Sequence, residues 1–384
     1  MVALAPVFVS DGATRSCNRG IARTGRRPLT TAYINRVATA VPPHDIHQAF
    51  RGFAQAQFQD NRHTSLFQRM ADRSGIEHRY SFLSPHPAPD SPYIDADGFY
   101  RRNQFPDTAA RMRRFERHAP ELAQDAVERL QLGAERARIS HLLVTCCTGF
   151  SAPGLDLELI ERCGLPSGIE RTMIGFMGCY AAINALKLAR HIVRSEPSAR
   201  VLILNLELCT LHFKETTDLE QMLAFLLWGD GCAASLVSAD PVGSALDSFH
   251  AVLAPGTREM ITWNIREAGF DMVLSGQVPW IIQNALQDHQ ADILAGAEPG
   301  SIDLWAVHPG GRTVLDAVEH AFALGPQMLA HSRDILRRYG NMSSATVMFV
   351  IETLLKSGAR GRKGCAMAFG PGLIAETMLF RTAA

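Results

Sequence analysis

The stretch Arg171-Thr-Met-Ile-Gly-Phe-Met-Gly-Cys-Tyr-Ala-Ala182 joins a short strand to a helix through one tight turn. Residues 171–176 are strand-like, and Gly178 supplies the turn. Over residues 180–195, apolar side chains recur at the three-to-four spacing of a helix, at Ile183, Leu186, Ala189, Ile192 and Val193. A strand followed directly by a helix is the repeating unit of α/β proteins, so this stretch predicts that class.

The sequence on both sides continues this alternation. His141-Leu-Leu-Val-Thr-Cys-Cys147 is strand-like, and Val201–Leu206 is a continuous apolar run typical of a buried strand. Residues 84–107, rich in proline, are interpreted as a loop. The other predicted elements are strands at 232–237, 302–307, 364–369 and 373–380, and helices within 49–74 (ending at Gly75), within 108–131 and at 344–357.

Two places in the chain depart from the alternation. Asp240-Pro241 and Gly243 interrupt it, which predicts an N-terminal half over residues 33–239 and a C-terminal half over residues 240–384. Residues 1–32 are rich in arginine and contain a single acid, Asp11. We interpret 1–32 as a poorly ordered extension, with an organelle transit peptide as the alternative.

Composition and charge exclude several classes of function. The 384 residues are 47% hydrophobic and carry 38 Lys+Arg against 38 Asp+Glu, so no basic field favours nucleic acid. No apolar run approaches the ~18 residues of a membrane span, so we expect no stable membrane insertion. Eight cysteines lie in apolar surroundings without the spacing of a metal site or a disulfide scaffold. This cysteine usage indicates a reducing compartment, and we expect a cytoplasmic protein without a bound metal.

Three polar residues lie where predicted strands end or predicted helices begin. Cys179 precedes a helix, where backbone N–H groups favour the thiolate. His308 lies in Trp305-Ala-Val-His-Pro-Gly-Gly311, where the chain leaves a strand. Asn341 lies in Gly340-Asn-Met-Ser-Ser-Ala-Thr346, just before a helix. Taken singly, each also has an ordinary structural explanation, namely a buried cysteine, a structural histidine and a helix cap.

Cysteine, histidine and asparagine in this order suit two kinds of enzyme. A papain-like protease uses the same order, but the Cys-Gly-x-Cys-Trp context of that family is absent. Decarboxylative Claisen condensation fits better. It needs a thiolate to hold an acyl chain, neutral donors to stabilise a thioester enolate, and a cavity that excludes water. Cys179, His308 and Asn341 are therefore the candidate catalytic residues.

Several segments resemble the signature segments of the chalcone synthase-like, type III polyketide synthases. They are Val307-His-Pro-Gly-Gly311, Gly340-Asn-Met-Ser-Ser344, Phe369-Gly-Pro-Gly372, Leu227-Trp-Gly-Asp-Gly231, Phe67-Gln-Arg-Met70 and Arg79-Tyr80. The resemblance runs from about Tyr33 to Phe380 and is to the bacterial alkylresorcinol and alkylpyrone synthases in particular. It implies an α/β, thiolase-like duplicated fold of five layers, αβαβα, that works as a homodimer. It also implies that coenzyme A thioesters are the substrates and that no metal or redox cofactor is needed.

The resemblance also assigns residues that bind the substrates. The phosphates of coenzyme A would meet Arg69 and Arg73, although Leu66 replaces a lysine that is usual there. Two gatekeepers of the family map to Trp228 and Met272, the second of which is phenylalanine in the plant enzymes. Because methionine is flexible and linear, we expect a looser constriction at this gate.

Further positions would change the wall of the substrate cavity. His212 and Cys209 stand where the plant enzymes carry threonine, and Trp280 and Trp263 stand where they carry glycine. Cys147, at the end of a predicted strand, is also expected to line the cavity. We expect the indole of Trp280 to form a wall that bends the growing chain toward carbon–carbon ring closure.

Together these features predict a long-chain fatty acyl starter, extended by several malonyl-CoA units and cyclised to an alkylresorcinol. Burying each CH₂ contributes ~0.8 kcal/mol, so a dozen methylenes would contribute about 10 kcal/mol gross to starter binding. The starter would arrive as a fatty acyl-CoA or on an acyl carrier protein. The alternatives are an alkylpyrone synthase, a ketoacyl synthase of the same fold that performs one condensation, and a degenerate acyl-binding protein, which the complete triad disfavours.

Overall fold

Strands and helices alternate along the part of the chain that the computed structural model describes, residues 29–384 except 59, 89 and 90. The strands are β1 (Tyr33–Ala40), β2 (His44–Asp45), β3 (Tyr80–Ser81), β4 (His141–Cys146), β5 (Glu170–Gly175), β6 (Val201–Leu208), β7 (Asp230–Ser238), β8 (Ser244–Leu253), β9 (Ile261–Arg266), β10 (Gly269–Leu274), β11 (Leu304–Val307), β12 (Lys363–Gly370) and β13 (Ile374–Thr382). The α-helices are α1 (His47–Gln55), α2 (Asn61–Arg73), α3 (Thr108–Arg129), α4 (Leu155–Cys163), α5 (Ala181–Ser195), α6 (Leu219–Phe225), α7 (Val278–Asp288), α8 (Gln290–Ile293), α9 (Arg312–Ala321), α10 (Ala330–Tyr339) and α11 (Thr346–Lys356). The predicted extension lies, as far as residue 28, outside the described residues.

Nine of these strands form one sheet in the order β11-β12-β13-β8-β1-β7-β6-β4-β5. Strand β4 is parallel to β5 and β6, and β11 is parallel to β12, whereas the other neighbours are antiparallel. The join between β1 and β8 consists of two residue pairs, Tyr33 with Ala245 and Ile34 with Ser244. The sheet is therefore two half-sheets that share a short edge, one with strands β1 and β4–β7 and one with strands β8 and β11–β13.

Two helices lie between the half-sheets. Helix α5 contacts β4 and β6 on one side and β12 and β13 on the other, and α11 contacts β1 and β7 as well as β11 and β12. Their apolar side chains join strand residues of both halves in one buried cluster. The sequence of α11, Thr-Val-Met-Phe-Val-Ile-Glu-Thr-Leu-Leu-Lys, is apolar around most of its circumference, as a helix covered on two sides must be.

The outer faces of the half-sheets carry the remaining layers. Phe115 of α3 and Leu159 of α4 pack with strand residues of the N-terminal half-sheet. Ile282 of α7 and Leu315 of α9 pack with those of the C-terminal half-sheet, among them Trp305. The order helix, sheet, helix, sheet, helix is the five-layer αβαβα arrangement that the family resemblance implies.

Most elements predicted around the candidate site lie within two residues of their expected bounds. The hairpin of β9 and β10 was not predicted, because its strands mix apolar and polar residues without clean alternation and leave Ile265 and Val273 exposed. The division of the chain at residue 240 stays a prediction. Within the described residues, every helix is too short or too polar to cross a bilayer.

Candidate active site

Cys179 lies in a single 3₁₀ turn between β5 and α5. Gly178 in this turn has a φ of +73°, and a Cβ placed on it would lie 2.5 Å from Cδ of Pro371, so the position requires glycine. A Cβ on Gly370 would lie 2.8 Å from the ring of Tyr180. The glycines of the two segments therefore let the loop that contains Pro371 pack directly against the cysteine turn.

Asn341 is fixed through both its backbone and its side chain. Its N–H donates to the carbonyl of Leu227 at 2.7 Å, and its carbonyl accepts from the N–H of Gly229 at 3.0 Å. Its Oδ1 accepts from the N–H of Ser343 at 2.9 Å, and its Nδ2 donates to the carbonyl of Gly310 at 3.2 Å. Because a carboxamide nitrogen carries two hydrogens, one N–H remains for a substrate oxygen.

His308 follows directly after β11, and its backbone N–H donates to the carbonyl of Met367 at 2.8 Å. The side chain is buried, and within the described residues neither ring nitrogen has a hydrogen-bond partner. Burial lowers the pKa of His308 to about 3. The imidazole is therefore neutral at pH 7, and it can accept one proton and donate another.

Burial also decides the protonation of Cys179. It raises the pKa of the thiol to about 12, and hydrogen bonding by the side chains of Ser343 and Asn341 opposes that rise only in part. The sequence predicted that the helix N-terminus would favour the thiolate, but the loss of solvation outweighs this. These pKa shifts favour a thiol and a neutral imidazole, so we expect the thiol proton to leave as the sulfur attacks.

Cys179, His308 and Asn341 line one cavity of about 900 Å³. Most of its wall is apolar and comes from α6, from the β9–β10 hairpin and from α7. Residues of this apolar wall include Leu219, Leu223, Leu226, Ile261, Leu274 and Ile282. The three polar groups thus converge on a cavity that suits an apolar chain.

The opening of the cavity is marked by lining residues that are exposed to solvent. Among them are Met70 and Arg73 of α2 and Arg312 at the start of α9. Nη1 of Arg312 donates to the carbonyl of Arg73 at 3.3 Å, so two guanidinium groups share this rim. Arg69 is exposed one helical turn before Arg73 but does not line the cavity, and its predicted contact with coenzyme A stays a prediction.

Four predicted wall residues line the cavity, namely Trp228, Met272, Cys147 and Cys209. Met272 packs against two apolar clusters, one from the C-terminal half and one around α1 and α2. A fifth predicted wall residue, Trp263, also lines the cavity, and its indole N–H donates to the carbonyl of Cys147 at 2.8 Å.

Two predicted wall residues lie elsewhere, and these expectations are wrong. Trp280 is 66% exposed on the first turn of α7, because Val278 and Ile282, one turn apart, form the inner face of that helix. His212 is buried behind the wall, where its Nε2 bonds the carbonyl of Thr148 at 2.7 Å. Burial lowers the pKa of His212 to about 3, so it is a neutral structural side chain.

Glu207 is a buried carboxylate near the site that the sequence analysis missed. It accepts from the N–H of Cys147 at 2.9 Å and from the hydroxyls of Thr148 at 3.0 Å and Ser344 at 2.7 Å. Burial raises its pKa to about 7. An acid inside strand β6, whose other residues except Asn205 are apolar, was the signal that could have found it, since a buried carboxylate requires dedicated donors.

Two family models together match almost the whole chain. The model described as "Chalcone and stilbene synthases, N-terminal domain" matches residues 22–241, and the corresponding C-terminal domain matches residues 245–384. Among curated proteins, the chain is 31% identical to the "Alpha-pyrone synthesis polyketide synthase-like Pks18" of Mycobacterium tuberculosis, over 97% of this chain and 98% of that protein. It is 32% identical to bisdemethoxycurcumin synthase of Oryza sativa subsp. japonica, over 94% of each chain.

Solved structures with the same fold include several polyketide synthases. PKS-I from the brown alga Ectocarpus siliculosus superposes with a TM-score of 0.82 at 28% identity, covering 93% of this chain and 100% of that one. The C-terminal type III polyketide synthase domain of Steely1 from Dictyostelium superposes with a TM-score of 0.83 at 24% identity, covering 92% and 100%. These superpositions confirm the predicted thiolase-like fold.

Proposed function

The chain belongs to the chalcone and stilbene synthases, and from this membership we propose the reaction that it performs. It is an acyltransferase, a type III polyketide synthase, and its family needs no cofactor beyond coenzyme A thioester substrates. The proposed reaction is repeated decarboxylative condensation of malonyl-CoA onto a long-chain fatty acyl starter. Cys179, His308 and Asn341 are the proposed catalytic residues, and the observation that carries the proposal is their convergence on one largely apolar cavity.

The first proposed step transfers the starter to Cys179. The neutral imidazole of His308 accepts the thiol proton while the sulfur attacks the thioester carbonyl. His308 passes this proton to the sulfur of coenzyme A, which leaves as the thiol, and the acyl chain remains on Cys179 as a thioester. The raised pKa of the thiol and the lowered pKa of the imidazole both favour proton transfer during the attack rather than before it.

The second proposed step extends the chain. Malonyl-CoA loses carbon dioxide, and the negative charge that develops on its thioester oxygen accepts hydrogen bonds from Asn341 and His308. The free N–H of the Asn341 amide suits this role, because its other N–H is already directed to the carbonyl of Gly310. The enolate carbon attacks the Cys179 thioester, the sulfur leaves, and the extended chain returns to Cys179 for the next cycle.

The apolar wall supports a fatty acyl starter. A cavity of about 900 Å³ with leucine and isoleucine from α6, β9, β10 and α7 offers contacts to methylene groups, each worth ~0.8 kcal/mol when buried. Neighbouring chain lengths would be separated poorly, since one methylene discriminates by only ~1–3 kcal/mol. The exposed arginines at the opening, Arg73 and Arg312, support delivery of the starter as a coenzyme A thioester, because they can pair with its phosphates.

We propose an alkylpyrone as the product in place of the alkylresorcinol that the sequence predicted. The resorcinol expectation rested on the indole of Trp280 as a wall, and that side chain is 66% exposed. Attack of an enol oxygen on the thioester needs less positioning than attack of one distant carbon on another. The name of the mycobacterial relative, which refers to alpha-pyrone synthesis, supports the same choice.

Incubation of the purified chain with labelled malonyl-CoA and acyl-CoAs from hexanoyl to stearoyl, followed by mass analysis, tests the proposal. We expect cyclic products that retain the starter chain, with pyrones in excess over resorcinols. The Cys179→Ala variant should form neither product nor acyl-enzyme, whereas Cys163→Ala, which removes a buried cysteine outside the cavity, should behave as the wild type. Linear products of one condensation would favour a ketoacyl synthase instead, and ring product from Cys179→Ala would exclude this cysteine as the nucleophile.

A further inference from the structure

Two histidines and an aspartate come together on the C-terminal half of the molecule, away from the substrate cavity. One ligand atom of each of His250, His289 and Asp292 lies within 4.8 Å of the other two. His250 belongs to β8, whereas His289 and Asp292 lie one helical turn apart where α7 ends and α8 begins. None of the three lines the cavity that contains Cys179.

We propose that His250, His289 and Asp292 form a zinc site. Two imidazoles and one carboxylate are a donor set that Zn²⁺ accepts readily, whereas Mg²⁺ and Ca²⁺ prefer oxygen donors throughout. Zn–N and Zn–O bonds of ~2.0–2.2 Å place tetrahedral ligands about 3.4 Å apart. The three donor atoms need to approach one another by little more than an ångström to reach that geometry.

The side chains have the freedom to make this movement. Nδ1 of His289 and Oδ2 of Asp292 are 3.7 Å apart, which is too long for a hydrogen bond, so neither atom is committed to the other. Both side chains are well exposed, at 46% and 66%. Water would fill the fourth position of the tetrahedron from the solvent side.

A metal here would act on the structure rather than on the condensation. Helix α7 contributes Val278 and Ile282 to the cavity wall near its start and reaches His289 at its end. Zinc bound to both His289 and His250 would link the C-terminal end of α7 to β8. Because the unfolded chain does not hold these three residues together, zinc binding would stabilise the folded state.

Isothermal titration of the chelator-treated full chain with zinc chloride tests the site. We expect one zinc ion per chain and a rise in Tm on zinc addition. His250→Ala, His289→Ala and Asp292→Asn should each weaken binding by ~10-fold or more. His331→Ala, which removes an exposed histidine of α10, should leave binding unchanged.

Three results would overturn the proposal. The first is a wild type that binds no zinc at one equivalent per chain. The second is a set of ligand variants that bind zinc as the wild type does. The third is a sulfur-to-metal charge-transfer band on addition of Co²⁺, since that would assign the metal to cysteines. Circular dichroism and the metal-free Tm show whether each variant is folded, and Asp292→Asn, an exposed and nearly isosteric change, carries the test if a histidine variant does not fold.

Discussion

The thiol of Cys179 and the imidazole of His308 are both neutral at pH 7, since burial moves their pKa values in opposite directions, to about 12 and about 3. An isolated buried charge is costly, and the hydrogen bonds from Ser343 and Asn341 offset that cost for the sulfur only in part. Asn341 contributes an amide N–H that carries no charge. A neutral donor of this kind acts mainly when negative charge develops on the substrate, which is the enolate step.

We therefore predict that Asn341→Ala separates the two half-reactions. Malonyl-CoA decarboxylation should slow by ~10²–10³-fold, the usual cost of losing one oxyanion donor. Loading of an acyl starter on Cys179 should persist, because sulfur attack does not require this amide. Carbon dioxide release and acyl-enzyme mass measure the two steps separately. Equal losses in both would show that Asn341 acts through its bonds to Ser343 and Gly310.

Glu207 gives a prediction about stability and pH. Its pKa is raised from 4.5 to about 7, so between these values the folded state keeps a proton that the unfolded state has lost. The free energy of unfolding contributed by Glu207 therefore falls as the pH rises through this window, by about 3 kcal/mol in total. Glu207→Gln removes the titration. We expect the variant to gain about 3 kcal/mol relative to the wild type between pH ~4 and pH ~8 in urea unfolding.

Two features keep the Glu207 measurement specific. Asp230 is also buried with a pKa raised to about 7, but it is present in both proteins and its contribution cancels in the difference. Glu298→Gln, at an exposed position, is the matched control. Its free energy of unfolding should differ from that of the wild type by the same amount at every pH. If the free energy of unfolding of Glu207→Gln also differs from that of the wild type by a constant amount at every pH, the Glu207 carboxylate has no raised pKa in the folded protein.

At the scale of elements, the turn between β5 and α5 depends on the loop that contains Pro371. Alanine at position 178 would have to adopt a φ of +73° and would place its Cβ 2.5 Å from Cδ of Pro371. The left-handed conformation alone costs ~1–2 kcal/mol, and the clash displaces the turn that holds Cys179. We predict that Gly178→Ala lowers kcat/KM by ~10²-fold, the effect expected of a displacement near 1 Å at the reacting group.

The control for the turn is Gly168→Ala. Gly168 is exposed in the loop before β5, and a Cβ there meets nothing within 4 Å. This variant should keep wild-type activity and Tm. Gly178→Ala with unchanged activity would show that the turn tolerates a shift of the loop, and the tight packing described above would then not position the nucleophile.

The β9–β10 hairpin contains Met272, the proposed gate residue, which lines the cavity while its neighbour Val273 is exposed. We predict that Met272→Phe penalises long starters more than short ones, because overpacking a filled passage costs ~1–3 kcal/mol. The ratio of kcat/KM for palmitoyl-CoA and hexanoyl-CoA measures the effect. Val273→Phe adds the same ring on the opposite face of the strand and should leave the ratio unchanged. If Met272→Phe lowers kcat/KM equally for both starters, Met272 does not line the path of the acyl chain.

At the scale of the whole molecule, the patterns that burial leaves in the sequence predicted the α/β class, whereas the five layers were implied by the family resemblance. A largely apolar run marked β6, and the apolar circumference of α11 agrees with a helix between two half-sheets. The β9–β10 hairpin has one exposed face and mixed residues, so it carried no such pattern.

The candidate site could be predicted only where residue type and chain position sufficed. Cys179, His308 and Asn341 lie beside glycines whose packing constrains the backbone, so their segments are distinctive in sequence. Trp280 was wrongly placed in the cavity wall because its correspondence to a family position does not say which face of a helix it lies on. Val278 and Ile282 form the inner face of α7, and Trp280 lies on the exposed face. Glu207 and Arg312 were missed because their importance arises from partners distant in sequence, such as Ser344 and Arg73.

The family resemblance predicts that the protein assembles as a homodimer. Strand β5 is an edge of the nine-stranded sheet, and Met173 on it and nearby Phe150 are 41% and 39% exposed. An open edge with apolar side chains is a surface that a second chain covers favourably. We predict that Met173→Glu converts a dimer to a monomer, because the new carboxylate would be buried in an interface of ~1,200–2,000 Å². Light scattering after size-exclusion chromatography measures the mass. Val242→Glu changes an apolar residue outside this edge that is 60% exposed, and this variant should stay dimeric. If Val242→Glu dissociates the dimer and Met173→Glu does not, the interface lies away from the β5 edge. A monomeric wild type would show that the protein does not form the predicted dimer.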